Sequence, residues 1–598
     1  MVVFKVAGSA YYSNYILDLG STFFTTPRLA MFIVMWMVFG TAAAVFCALG
    51  ILRFLSGRGE RIHLFGWWNS SSDVAWIFFG SVAALAIPIL LRRLVLHGAP
   101  LTDDESAYRF MTELLSSGRL QATSPPLKLF FDRIFMINDG HMHAAYFLGW
   151  PALMVPGIWL GITEFMNAIY CCLTVPPLFL VLRRLAGSQW AKLGVLLFLL
   201  STMLMVGAAT ELAHTSCFMT LAWLTWCVFR ARDEDAPGWI DACVAILFAV
   251  AFMIRPVSAA GIGLPLLIWW MAHVIRIPRK SRLLRLTSFA IPAIILAALF
   301  FASNRIQNGS FFRVSYQRYV SYIQENGYRF SFYRDENPTK GDVVHSLTAS
   351  PKEAVANIAV ALFRLNFDLF GWPCFLFACF AGRQRTAWLF WLSLLCFFAA
   401  NLPLPDTGID SFGPTHYFEA AWPVLLITVL GIRAVHEKLS AVQLQPSIAS
   451  LQPRRFPVIL ASCFTLLTLI FYMPVRLGAL SRMTENINMP FEAVQSAGIQ
   501  RAVIFAPQPF APNCRSKPTS SFVFWRPNND PDLKNDILWA NHITVDDDRR
   551  LMRYFPDRTG HVMVWVEPCQ VRILPLDQLA PGSVPNGEIG GTGAGPDD

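Results

Sequence analysis

Three consecutive acids, Asp103, Asp104 and Glu105, open the segment LTDDESAYRFMTELLSSGRL a few residues after a long apolar run. A carboxylate at a bilayer interface, partly desolvated and aimed by a helix N-terminus, is placed to take a proton from an incoming hydroxyl. The same letters spell a capping box, with Thr102 as the cap and Glu105, three residues on, reaching back to its amide. Asp103 and Asp104 then fall in the first turn, where the helix dipole favours anions. Ala107, Met111, Leu114 and Leu115 form an apolar stripe, and Gly118 ends the helix. Capping needs Glu105 alone, whereas two added aspartates at a membrane surface go beyond it. The segment reads as an amphipathic helix whose start can carry acid–base chemistry.

Other polar residues gather at the ends of apolar runs. Arg92 and Arg93 close one; Glu211 and His214 lie in ATELAHTS; Arg255 lies in MIRPVS; His416, Tyr417 and Glu419 lie in FGPTHYFEAAWP. Tyr108 follows the acids by one helical turn. Each has a plainer reading: Arg255 can snorkel, His214 can be an interfacial hydrogen-bonding residue, and Glu164 and Glu419 can anchor span ends. His141 and His143 have metal-like spacing but no third ligand nearby. The stretch 303–365, with Tyr316, Arg318, Tyr319, Tyr322, Tyr328, Tyr333 and Arg334, reads as an amphipathic cover.

The elements that must position these residues are membrane spans. Hydrophobic residues make up 55% of the 598, charged residues only 15%, and the mean hydropathy is +0.46. Such a composition describes a polytopic α-helical membrane protein. Apolar runs of about 20 residues fall at 29–51, 74–97, 164–183, 190–209, 212–230, 239–256, 258–276, 284–302, 366–381, 385–402, 419–436 and 457–478. A shorter run, 146–162, carries Pro151 and Pro156 and reads as a re-entrant or interfacial helix. With twelve crossings the basic loops fall on one side, which the positive-inside rule assigns to the cytoplasm. The net charge of +9 is spread over these loops, so anionic lipid is its partner and nucleic acid is not. The acids at 103–105, the loops 98–163, 303–365 and 403–418, and the polar run ends just named all converge on the opposite face. Arg92 and Arg93 break the rule there.

Segment 1–28 has no basic start, short apolar core and cleavage site of a signal peptide. The domain plan is therefore a membrane domain over 29–478, a small soluble α/β domain over 479–580 and a disordered tail over 581–598. The soluble domain holds Cys514 and Cys569. An oxidising compartment permits a disulfide between them, two free thiols being the other reading.

The pattern Asp104-Glu105-x-x-Tyr108 beyond an early span resembles the first-loop acidic motif of the GT-C membrane glycosyltransferases. Its nearest kin in pattern are the protein-mannosyltransferase and aminoarabinose-transferase-like enzymes of glycosyltransferase family 39. LTDDE, DGHMH…GWPAL, ELAHTS, IRPVSA, NRIQNGS…YQRY and FGPTHYFEAAWP follow one another in that order over residues 74 to 480. The resemblance implies transfer of a sugar from a polyprenyl-phosphate carrier to a hydroxyl acceptor, on the periplasmic face of a bacterial inner membrane. It implies Asp104 as general base, with Asp103 and Glu105 orienting the acceptor or a divalent metal such as Mg or Mn. Cations must then meet the lipid phosphate: Arg255 first, then Arg92, Arg93 and His416. Tyr108, His141, His143, Glu211, His214, Tyr417 and Glu419 are the implied substrate-binding residues. The sequence departs from the branch at Thr415, where an arginine is expected.

Two other classes fit a polytopic chain. A transporter or flippase of a lipid-linked solute places its ionisable residues near the midplane and repeats its halves; here they lie toward one face and no repeat is evident. A GT-C scaffold that binds carriers without chemistry is the other, and Thr415 is its support.

Overall fold

The computed structural model describes residues 36–57, 68, 70–326, 351–371, 374–383, 386–404, 413–441, 453–507, 527–566 and 570–581. Two compact units emerge. One, the helical unit, comprises Met1–Arg93, Glu164–Phe300 and Leu347–Gly478. The other, the mixed unit, comprises Leu94–Thr163, Phe301–Ser346 and Ala479–Asp598.

Seven described helices are long and apolar enough to cross a membrane: Val38–Leu55, Asp73–Leu94, Thr163–Ala186, Pro256–Val274, Arg279–Asn308, Thr415–Ala441 and Phe456–Ser496. Ser188–Leu199 and Thr202–Ala209 make an eighth if the bent pair, at 58°, is one span. The chain is an integral membrane protein. The remaining runs of the expected twelve form shorter helices, among them His214–Arg230, Trp239–Ile254 and Ala387–Asn401. Length and composition thus account for seven or eight of the twelve crossings. The 146–162 run forms a helix of 12 residues, Gly149–Leu160, closed by Gly161 at φ 69°. At about 1.5 Å per residue it reaches roughly 18 Å, short of the bilayer core.

Breaks in the helical unit follow local chemistry. Ser201, between the bent pair, accepts the Leu204 amide at 3.4 Å and starts a new helix. Arg255 precedes a proline, which disfavours helical backbone. It is extended, at φ −145° and ψ 93°, between Trp239–Ile254 and Pro256–Ser258. The break sets a long cation at a helix junction.

The mixed unit holds two sheets. Strands β1 (Ala122–Thr123), β2 (Met136–Asp139) and β3 (His141–Ala144) make an antiparallel sheet in the order β1-β3-β2. Strands β4 (Ala502–Ala506), β5 (Ile537–Asn541), β6 (Thr559–Val566) and β7 (Gln570–Pro575) make a sheet in the order β5-β4-β6-β7. β4 pairs in parallel with both neighbours, and its residues AVIFA are all buried, as a central parallel strand requires. Val503, Phe505, Leu538 and Val562 share one core with Phe130 and Phe131, which come from the stretch before β2. A second core joins Ala107, Met111 and Leu114 to Met136, Met142 and Ala144. The apolar stripe of the acidic helix is therefore buried against the small sheet rather than lying free. Cys514, Cys569, Tyr328, Tyr333, Arg334 and the tail from 582 lie outside the described residues.

Candidate functional site

The acidic helix runs from Asp103 to Ser116, with Thr102 as its cap residue at φ −145° and ψ 158°. Its three acids do different things. Glu105 is 1% exposed and turns back on the chain. One of its oxygens accepts the amide of Leu101 and, at 3.0 Å, that of Thr102. This is the carboxylate half of the capping box. Asp103 is buried, and its carbonyl accepts the Ser106 hydroxyl at 2.9 Å. Asp104 is half-buried, and its Oδ1 accepts the Tyr146 hydroxyl.

Aromatic rings from three stretches surround that pair. Tyr108, on the same helix, lies 4.6 Å from the Tyr146 ring. Phe135, just before β2, lies 5.2 Å from Tyr146 and 6.0 Å from Tyr319. Tyr319, on helix Ser315–Glu325, is fully buried, and its hydroxyl accepts the Phe135 amide at 3.2 Å. Burial and the Asp104 charge hold the Tyr146 phenol well above its usual range, so it stays a donor to Asp104. Burial likewise raises Tyr319, with Asp103 and Asp104 adding to the effect. The site has one half-open carboxylate, held by a neutral donor and walled by ring faces.

His143 is buried on β3, its Nδ1 3.1 Å from the Ala144 carbonyl, and burial pushes its pKa down to about 4. It is a neutral imidazole at physiological pH. His141 is exposed at the start of the strand. Among the described residues no group of three His, Cys, Asp or Glu side chains is arranged to hold a metal ion. In the acidic triplet, Glu105 is turned onto backbone amides rather than toward Asp104.

The helical unit carries cations held by carboxylates. Glu419 is 0% exposed in the short helix Thr415–Ala420. Its Oε1 lies 3.1 Å from Arg255 Nε and 3.3 Å from His214 Nδ1, and Arg255 Nη1 is 3.4 Å from His214 Nε2. Phe418 sets this arrangement: it packs 5.4 Å from the His214 ring and fills the space beside Gly207, where a Cβ would sit 2.5 Å from it. His416 is half-exposed, Thr415 is buried, and the Tyr417 ring stacks on Phe398 at 5.2 Å. Arg92 is 1% exposed, its Nη2 2.9 Å from Glu211. Arg93 is exposed, paired with Glu164 at 2.9 Å and set over the Phe165 ring. Arg255, at 19% exposed, is less enclosed than Arg92.

Two groups escaped the sequence reading. Tyr146 begins an apolar run and carries no local mark of its role. In ALFRLNFDLF, Arg364 pairs with Asp368 at 3.0 Å, four residues on, both buried, and the Tyr472 hydroxyl donates to Asp368 at 2.7 Å. Two opposite charges one turn apart inside an apolar run were the signal there.

No family model matches the sequence, and no curated protein does. Among solved structures, apo ArnT from Cupriavidus metallidurans aligns with 85% of this chain and 98% of its own, at TM-score 0.51 and 12% identity. The chain has the ArnT fold. That likeness in fold agrees with the expectation from the motif series. ArnT bound to undecaprenyl phosphate aligns over 73% of this chain and 83% of its own, at TM-score 0.45 and 13% identity. The Archaeoglobus fulgidus oligosaccharyltransferase, in complex with zinc and sulfate, aligns over 67% of this chain and 53% of its own, at TM-score 0.38 and 15% identity.

Proposed function

We propose that the chain is a glycosyltransferase that moves a sugar from a polyprenyl-phosphate-linked donor to a hydroxyl acceptor, on the periplasmic face of a bacterial inner membrane. The observation that carries the reading is the division of labour in the acidic triplet. Glu105 alone satisfies the helix start, and Asp104 stands half-open among aromatic rings with a phenol donating to it. Ring faces suit the apolar face of a sugar or acceptor, and a half-buried carboxylate that accepts from a neutral phenol suits a base.

In this reading Asp104 takes the proton of the acceptor hydroxyl. The oxygen attacks the anomeric carbon, the bond from that carbon to the phosphate oxygen breaks, and the lipid phosphate leaves with the electron pair. Arg255, oriented by Glu419 and His214, is the cation assigned to that phosphate. Its partly exposed guanidinium suits the task better than the enclosed Arg92. ArnT, whose fold the chain shares, has been crystallised with undecaprenyl phosphate, which supports a carrier of that class.

Membranes from a deletion host complemented with wild type or Asp104→Asn provide the test, with radiolabelled sugar followed as it leaves the polyprenyl-phosphate pool. Transfer by wild type and its loss in a stably inserted Asp104→Asn supports the assignment. Equal transfer by both refutes Asp104 as base, and no transfer by inserted wild type refutes the activity.

A further inference from the structure

A second arrangement in the mixed unit lies on the same acidic helix, nine residues after Asp104 and so half a turn round from it. A small cleft is lined by Phe110, Phe131, Arg133, Met142, Asn529 and Asp530, among others. Arg133 is 3% exposed. Its Nη1 donates to the Pro527 carbonyl at 3.1 Å, and its guanidinium lies 5.1 Å from the Phe110 ring centre, which fixes its plane. Nε and Nη2 are buried and have no hydrogen-bond partner. These two N–H groups form one edge of the guanidinium fork, the parallel donor pair that a carboxylate or phosphate accepts with two oxygens. Leaving charged donors buried and unmade is unfavourable, so the open edge itself points to an occupant.

Glu113 is coupled electrostatically to two residues of the cleft, Arg133 and Asp530. Its Oε1 accepts the Asn528 amide at 2.9 Å, while its Oε2 is buried without a partner. Burial raises this carboxyl to about 7, against the pull of Arg109 on its own helix and Arg133 across from it, and with a push from Asp530. Asp530 Oδ1 accepts the Asp532 amide at 2.7 Å, so one oxygen of that acid is held in its own turn.

We propose that this cleft is an oxyanion site, in which the carboxylate of a small molecule sits edge-on against Nε and Nη2 of Arg133. The enclosed volume is about 20 Å³, room for one water-sized group, so the charged end enters and the rest stays in the open mouth. Asp530 in the lining repels a dianion more than a singly charged group, which favours a carboxylate over a phosphate. A protonated Glu113 leaves the Arg133 charge to the anion, and an ionised one competes for it. Anion uptake is therefore strongest below about pH 7 and weakens above it. The folded Glu113 carboxyl keeps its proton to about 7 and the unfolded one to about 4.5, so the stability that this group contributes falls as pH rises between these values.

Full-length protein in detergent, unfolded thermally at about pH 6 and about pH 8, tests the site, with acetate titrated against chloride at equal ionic strength. Acetate stays ionised across this range. A saturable rise in Tm is expected, with half-saturation at a higher acetate concentration at about pH 8 than at about pH 6. Glu113→Gln keeps the rise and flattens its pH dependence. Arg133→Lys keeps the charge, removes the fork and abolishes the rise. Should Arg133→Lys not fold, the flattened profile of Glu113→Gln decides the matter alone. The proposal is overturned by an equal response to chloride, by no response, by an unchanged response in Arg133→Lys, or by an unchanged pH profile in Glu113→Gln. A response to sulfate and not to acetate also overturns the carboxylate assignment, in favour of a phosphate-like dianion.

Discussion

Two helices of the mixed unit start on nearly the same backbone with the same kind of charge. Thr102, at φ −145° and ψ 158°, precedes Asp103, Asp104 and Glu105. Thr544, at φ −141° and ψ 159°, precedes Val545 and then Asp546, Asp547 and Asp548. Both gain from the helix dipole. In the second helix each acid finds its partner close by in sequence. Asp547 takes the Thr544 hydroxyl at 2.8 Å, Asp548 holds His542 at 2.7 Å, and Asp546 faces solvent 3.6 Å from Arg549. In the first, only Glu105 serves the cap, and Asp104 meets a tyrosine 42 residues away. An acidic helix start is a cap by default; distant residues turn one of its acids toward chemistry.

The largest effect that this contrast predicts belongs to Asp104. Asp104→Asn preserves an acceptor for Tyr146 and leaves the Glu105 cap in place, but removes the base. Transfer should fall about 10²–10⁴-fold, the usual contribution of a positioned acid–base group, at unchanged Tm. Tyr146→Phe sharpens the point, since it keeps the ring against Tyr108 and deletes only the donor. A hydrogen bond to a charged group contributes roughly 1.5–3 kcal/mol, so a loss of about tenfold to a hundredfold in turnover is expected in the same assay. A Tyr146→Phe enzyme with wild-type turnover would show that the aromatic surroundings alone set Asp104.

How much of this was legible in the sequence differs from residue to residue. The apolar runs announce the membrane, because burying backbone in lipid forces long helices. The capping role of Glu105 is also legible, since it depends on a spacing of three. The partners of Asp104 are not, because Tyr146, Phe135 and Tyr319 reach it through the β2–β3 hairpin and a helix about 200 residues on, and local pattern carries no trace of such pairings. Arg92 and Arg255 look alike as letters at run ends. Only packing shows that Glu211 encloses the first and that Glu419 and His214 hold the second at a helix break. The same holds for the Phe130–Phe131 pair, whose core partners in β4, β5 and β6 lie more than 300 residues ahead.

The second triplet should answer to substitution in stability, not turnover. Asp548 is 0% exposed, and its oxygens serve His542 and, at 3.4 Å, the Ile543 amide. Asp548→Ala strips both and leaves the imidazole without its partner. Unmade buried hydrogen bonds cost about 1–3 kcal/mol, so thermal unfolding of the full chain should move down while transfer per folded molecule stays at the wild-type value. Transfer lost at unchanged Tm would give the second helix a part in the reaction and erase the distinction between the two.

Asp546 gives the smallest effect and the cleanest check. Its side chain is 63% exposed, and its pairing with Arg549 spans three residues on a solvated helix face. Exposed pairs of this kind contribute about 0–1 kcal/mol and are screened by salt. The dipole adds a few tenths of a kcal/mol at most for an exposed acid in the first turn. Asp546→Asn should therefore shift stability by no more than about 0.5 kcal/mol, most visibly at low ionic strength, and leave transfer untouched. Asp104→Asn makes the same chemical change at the same position, two residues past a threonine in each helix. A large loss in one and silence in the other assigns the difference to Tyr146 and its surrounding rings, because the charge, its position and the sense of the dipole are matched. Equal silence in both reduces Asp104 to a first-turn anion. Equal loss shows that helix-start charge matters by itself, whatever packs against it.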